Sequence, residues 1–158
     1  MAQTNSAISQ GKMLVEVSTD GTNWTDISGS SAQVTPSGGD QLTGSQNTAG
    51  GSAPVVVGSN KTDPAEADVK ILYTEQSGEA FRIVKARFDG ANKTIYFRYT
   101  PSGSGTGNKR YLAANDANSA FACPIQSCMP PDLDAGSGDP AMASFHLIFP
   151  KWYEETLP

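Results

Sequence analysis

"DVKILYTEQSGEAFRIVKARFDG", Asp68 to Gly90, carries both periodicities of a folded chain in one stretch. Val69, Ile71 and Tyr73 fall at every second position along its first part, on one face of a strand. After Ser77-Gly78 the period changes. Ala80, Phe81, Val84 and Phe88 recur at i, i+1, i+4 and i+8, which gathers them on one side of a helix of about three turns. Ser77 is the expected N-cap, and Glu79 falls in the first turn, where the helix dipole favours an acid. Gly90 ends the run. Arg82, Lys85 and Arg87 face elsewhere. No other stretch reads as helix. The expected fold is therefore mainly β: an antiparallel sandwich or barrel, with one flanking helix over a face or open end of a sheet.

Upstream, "VEVSTDGTNWTDISG" (Val15–Gly29) reads as a hairpin. Met13, Val15 and Val17 alternate along its first strand, and Asp20-Gly21 supplies residues that tolerate positive φ. Trp24 to Ile27 returns as the second strand. Trp24 has two readings, a stacking platform for a ligand such as a sugar or a residue packed in a core or interface. Residues 29–62 are then dominated by Gly, Ser, Thr, Gln and Asn, and their one compact apolar cluster is Pro54, Val55, Val56 and Val57. A stretch this long inside one domain is functional or a linker. The segment before it is too small to fold alone, so it is expected to project as an extended loop or arm, with Pro54–Val57 in a strand of a long hairpin. So few apolar groups offset little ordering entropy, and the arm needs another surface to pack on. Val34, Leu42 and Pro54–Val57 are the expected contact residues.

Downstream, Lys93–Thr100 places Ile95, Phe97 and Tyr99 inward. "PSGSGTGN" is a Gly-rich turn and "KRYLAA" a further strand. "CPIQSCMPP" is extended and interrupted by Pro, "DAGSGDP" is a turn, and "AMASFHLIF" is the last expected strand. Residues 150–158 read as a polar tail leaving the domain.

At 158 residues the length suits a single domain, 1–158, with room for a real core. Hydrophobic residues at 37%, with 16 Gly and 10 Pro, fit a β protein with substantial loops. A formal charge of −5 argues against gripping nucleic acid, which draws on clustered Lys and Arg. It is compatible with a surface past which nucleic acid slides. The first residues lack a basic segment followed by an apolar one, so no export is expected, and no apolar run is long enough to span a bilayer. The Asn-x-Thr sequons at Asn23, Asn60 and Asn92 are then turn composition and not glycosylation sites.

Chemistry is scarce. Cys123 and Cys128 read as free thiols or a local disulfide, and the single His146 cannot complete a zinc site with them. Gly103–Lys109 lacks the Gly-Lys pair and the following helix of a phosphate loop. Glu66/Asp68, Asp132/Asp134 and Glu154/Glu155 lack the register of a calcium loop and read as solvated charge. His146 alternates with Phe145 and Leu147 as the outward residue of a strand. No catalytic, cofactor or metal site is expected.

From Asp63 onward the order of features becomes specific. Tyr73-Thr74-Glu75 precedes the helix, Arg98 and Pro101 close the next strand, Gly103 and Gly107 form the turn, and Asp134-Ala135-Gly136, Gly138, Asp139 and Pro140 precede the final strand. Over roughly the last 95 residues this resembles the major tail tube family of long-tailed bacteriophages and related gene transfer agents. The resemblance implies a small β-sandwich or barrel with a flanking helix, closing into hexameric rings that stack into a hollow tube through which DNA passes. It implies a virion tail protein assembled in the host cytoplasm. Its implied partners are copies of itself, the tape measure protein, the tail terminator and tail-tip proteins, with DNA in transit and no membrane insertion. A terminator, tail-tip or head-decoration protein of the same virion is the neighbouring alternative, and a carbohydrate-binding sandwich the distant one.

Overall fold

The architecture comes from a computed structural model, which describes residues 2–158. After a single 3-10 turn at Gln10–Lys12, the elements run β1 (Leu14–Ser18), β2 (Trp24–Asp26), β3 (Ser31–Gly38), β4 (Gln41–Gln46), β5 (Val55–Thr62), β6 (Ala65–Leu72), α1 (Ala80–Asp89), β7 (Thr94–Thr100), β8 (Lys109–Ala114), β9 (Cys123–Asp132), β10 (Met142–Phe149) and β11 (Lys151–Thr156). All pairings are antiparallel. One half of the body is β2-β1-β7-β8-β11, the other β3-β6-β10-β9, and they join where Thr94 and Ile95 of β7 meet Pro124 and Cys123 of β9.

The halves face each other across one core. Val15, Val17, Ile95 and Phe97 enter from the first, and Ala65, Ala67, Val69, Ile71, Phe145 and Leu147 from the second. Phe97 meets Phe145 edge-to-face across this core, ring centroids 6.4 Å apart. The alternation read from the sequence reports this burial directly, since a strand with one wet face must place every second residue inward. α1 packs over β6, β7 and β9 and seals the corner where the halves join, burying Ala80, Phe81 and Val84.

Two local expectations change, the bounds of the strand before the helix and the residue that caps the helix. The strand before the helix begins at Ala65 and stops at Leu72, because Ala65 and Ala67 continue the buried alternation with side chains too small to stand out in the sequence. Ser77 is not the N-cap. Gly78 takes φ +86, so the backbone is not yet helical there, and Glu79 is the cap residue. Gly90 caps the other end, its N–H donating to the Ala86 carbonyl. Cys123 and Cys128 are both buried, free thiols. They point inward from odd and even positions because Ser127 faces His146 while Ile125 faces Leu147, leaving Gln126 as the extra residue of a bulge.

The largest correction concerns residues 150–158, which do not leave the domain. β11 pairs with β8 from Lys151↔Ala114 to Thr156↔Lys109. Its Trp152 lies against Phe149, Tyr99 and Phe97, with centroids at 4.6, 5.4 and 6.1 Å. Pro150 occupies only the turn between β10 and β11, and both acids find partners on β8, Glu154 accepting from the Tyr111 hydroxyl and Glu155 from the Arg110 guanidinium, each at 2.7 Å. Trp152→Ala should therefore cost about 3 kcal/mol, at the low end for an aromatic truncation because the ring is partly exposed. Urea unfolding followed by circular dichroism measures it; a free tail would show no change.

Residues 29–62 also resolve into defined parts. β3 is an edge strand of the body, paired with β6 from Ser31↔Ile71 to Gly38↔Ala65. Among the described residues β4 and β5 pair only with each other, from Gln46↔Val55 to Gln41↔Thr62. The Gly39 N–H donates to the Pro64 carbonyl, and the Asp63 N–H to that of Asp40, so one ladder continues from the body into the ribbon. It kinks at Gly38, whose φ is +70; a Cβ there would collide with the Pro64 carbonyl oxygen.

Candidate functional site

The β4–β5 ribbon is the most conspicuous surface feature. It carries Leu42, Val55, Val56 and Val57, exposed at 42, 53, 66 and 62% of their full areas. Register puts Val55 opposite Gln46 and Val57 opposite Gly44, so both valines share one face of the ribbon. Gly44 offers Val57 no cross-strand side chain. Three consecutive exposed valines on an isolated two-stranded ribbon neither stabilise it nor keep it soluble. Such a ribbon holds its shape when another surface covers it.

Of the expected contact residues, Leu42, Val55, Val56 and Val57 lie together on this ribbon, and Pro54 immediately precedes β5. Val34 does not join them. It sits in β3, half-buried against the core, and belongs to the body.

The motif residues occupy four separate places, Arg98 lying apart from the rest on the outer face of β7. Tyr73, Thr74 and Glu75 form the latch between β6 and α1. The Arg82 guanidinium donates to the Tyr73 hydroxyl at 3.1 Å and to the Thr74 carbonyl at 3.4 Å, and the Tyr73 hydroxyl lies 3.3 Å from Glu75 Oε1. Tyr73 also meets Phe81 edge-to-face at 4.9 Å. Pro101, Gly103 and Gly107 make the β7–β8 turn; both glycines have φ +82, and β8 follows without a helix. Asp134, Gly136, Gly138, Asp139 and Pro140 make the exposed β9–β10 turn, where the Gly136 N–H donates to Asp134 Oδ1 at 2.9 Å. These residues fix the path of the chain and do not converge on a reacting centre.

Trp24 is neither a core residue nor an open platform. The Arg98 guanidinium lies 4.0 Å from its ring centroid and also binds Glu16 through two hydrogen bonds of 2.7 and 3.1 Å. Ser18 pairs with Trp24, and Glu16 with Arg98 and Asp26, so all five lie on the face turned away from Val15 and Val17. Trp24 sits on that outer face because the five-residue turn Thr19–Asn23 sets the register. Asp20 organises this turn: the Asn23 and Thr22 N–H groups, the Asn23 side chain and the Ser18 hydroxyl hold its carboxyl well below the usual carboxylate range. The sequence showed the hairpin but not the arginine, which lies 74 positions further along the chain.

His146 faces outward as expected, with Nε2 3.3 Å from Glu66 Oε1. Among the described residues no three His, Cys, Asp or Glu side chains are placed to hold a metal, and no helix is long and apolar enough to cross a membrane. β2, β3 and β11 each pair on one side only, leaving open edges of the kind that recruit another strand.

No family model and no curated protein matches the chain. Solved structures do. A chain of the anti-feeding prophage (AFP) baseplate, six-fold symmetrised, matches with a TM-score of 0.68 at 9% identity, over 98% of this chain and 99% of its own. A chain from the sheath/tube terminator of PVC, an extracellular contractile injection system, matches at 0.65 and 13% identity, over 98% and 100%. A chain from the tail of an empty GTA particle, refined with C6 symmetry, matches at 0.54 and 12% identity, over 99% and 100%. The fold is tail-tube-like, mainly β with one helix.

Proposed function

We propose that this chain is a structural tail component: a subunit whose copies close into rings and stack into the hollow tube of a phage-like tail.

 The single chain is inert by this reading, and function belongs to the assembly. The observation that carries it is the ribbon, which holds four exposed apolar side chains and pairs with no other strand of its own subunit. The open edges of β2, β3 and β11 support lateral pairing between copies. Lateral contacts that return on themselves give rings, and axial contacts that never do give a filament. Six copies per ring fits the symmetry of the related assemblies. The role is non-enzymatic, its place the tail, assembled in the cytoplasm of a host. Its partners are copies of itself, a tape measure protein, a terminator and tail-tip proteins. The acidic chain suits a channel that DNA crosses without sticking.

A second reading, a terminator that ends such a tube, is favoured by the likeness to a sheath/tube terminator chain. Electron microscopy of the concentrated protein separates the two. Tubes are expected for the tube subunit and solitary rings for the terminator. A chain that stays monomeric even beside tail assembly factors overturns both.

A further inference from the structure

The ribbon and a groove beneath the β9–β10 turn lie at opposite ends of the same strand. The ribbon leaves the body beside Ala65, the first residue of β6, where Gly38 pairs with it. The groove, of about 870 Å³, opens at the other end of β6, where Lys70 pairs with Ser144 and Leu72 with Met142. Seven strand steps separate these ends by about 23 Å. Among the described residues β4 and β5 pair with no other strand, and the ladder carries them out past the Ala65 end of β6, remote from the groove.

The two surfaces match in chemistry. Met129, Leu133 and Met142 give the groove its apolar lining, and Met129 and Leu133 are exposed at 55 and 72%. Asp132, Asp134 and Asp139 surround it against the single Lys70, which makes it acidic. The ribbon from Gln41 to Thr62 has one charged side chain, Lys61. Among the described residues Lys61 makes no ion pair. An apolar ribbon with a lone cation and an apolar groove with surplus carboxylates are complementary, and within one subunit they stand at opposite ends of β6.

We propose that the groove beneath the β9–β10 turn is the receptor for the β4–β5 ribbon of a second copy of this chain. This inference rests on the tube reading and names the contact within it. The contact joins two different surfaces at opposite ends of the subunit, so each copy that docks presents a fresh groove or ribbon, and a series directed along the tube axis does not close. The Asp134–Pro140 turn then acquires a role beyond connecting strands, as the outer wall of the receptor.

Paired cysteines test it. The full chain carrying both Val57→Cys and Leu133→Cys, assembled and mildly oxidised, should give a ladder of covalent dimers, trimers and higher species on a denaturing gel. Each single variant should give none. The native thiols add little background, since both are buried and burial pushes Cys123 up to about 12 and Cys128 upward as well. Leu133→Asp provides an independent arm: subunits with an unchanged melting temperature should form rings that no longer stack. Stacked tubes from the double variant without a ladder, or normal stacking by Leu133→Asp, place the receptor elsewhere and leave the tube reading intact. Wild-type protein that forms no stacked assembly overturns the tube reading and this contact together.

Discussion

Replacing Gln41–Thr62 with Asn-Gly is expected to abolish stacking while leaving the subunit folded. Asp40 and Asp63 are already joined by a backbone hydrogen bond, so a two-residue turn closes the ladder where the ribbon begins. The excised segment contributes no residue to the core cluster, and its apolar side chains face solvent. Melting by circular dichroism should move by no more than about 3 °C, the size of a loop-length effect of under about 1 kcal/mol in a domain this large. Sedimentation and electron microscopy should report the loss of every species longer than a ring. A cut from Gly38 to Gly51 is a poorer experiment, because it removes β4 and leaves β5 unpaired. If the Asn-Gly variant still grows tubes, the ribbon is not the axial connector. If it unfolds, the ribbon belongs to its own core.

The second large effect lies at the centre of the body. Phe97 is fully buried and touches both halves, meeting Phe145 at 6.4 Å and Trp152 at 6.1 Å. Phe97→Ala should cost about 3–5 kcal/mol, the transfer free energy of the ring plus the cavity it leaves. That is a large share of the roughly 5–15 kcal/mol that holds a typical domain together. At about 2–4 °C per kcal/mol for a chain of this length, the melting temperature should fall by about 6–20 °C. The subunit should lose solubility before assembly can be assayed, the opposite order to the ribbon variant. A drop of less than about 1 kcal/mol would mean that the halves do not share a core.

The body was legible because burial imposes a period. Val15 and Val17, Val69 and Ile71, Ile95 and Phe97, and Phe145 and Leu147 all alternate, and each pair lies in the core. The lone helix was legible for the same reason. What escaped was set by partners distant in sequence. β11 has only Trp152 to mark it as packed, because its other residues alternate between the rim and solvent. β3 is almost entirely polar and owes its strand to the edge of β6, which any backbone can join. Trp24 could be placed on a hairpin, but its cover comes from Arg98 on β7. For the candidate site, the apolar cluster at Pro54–Val57 stood out within its polar surroundings. The groove did not, because it exists only where the β9–β10 turn overhangs the ends of β6 and β10.

The kink at Gly38 has a consequence for the assembled particle. A continuous ladder runs through it, so the ribbon is aimed by the sheet and does not hang as a free tether. In the proposed stack, the direction in which each ribbon leaves its subunit would contribute to how far one ring turns relative to the next. Because a left-handed backbone and a crowded Pro64 carbonyl restrict that position to glycine, one residue per subunit would hold the aim of every such connection in the proposed tube.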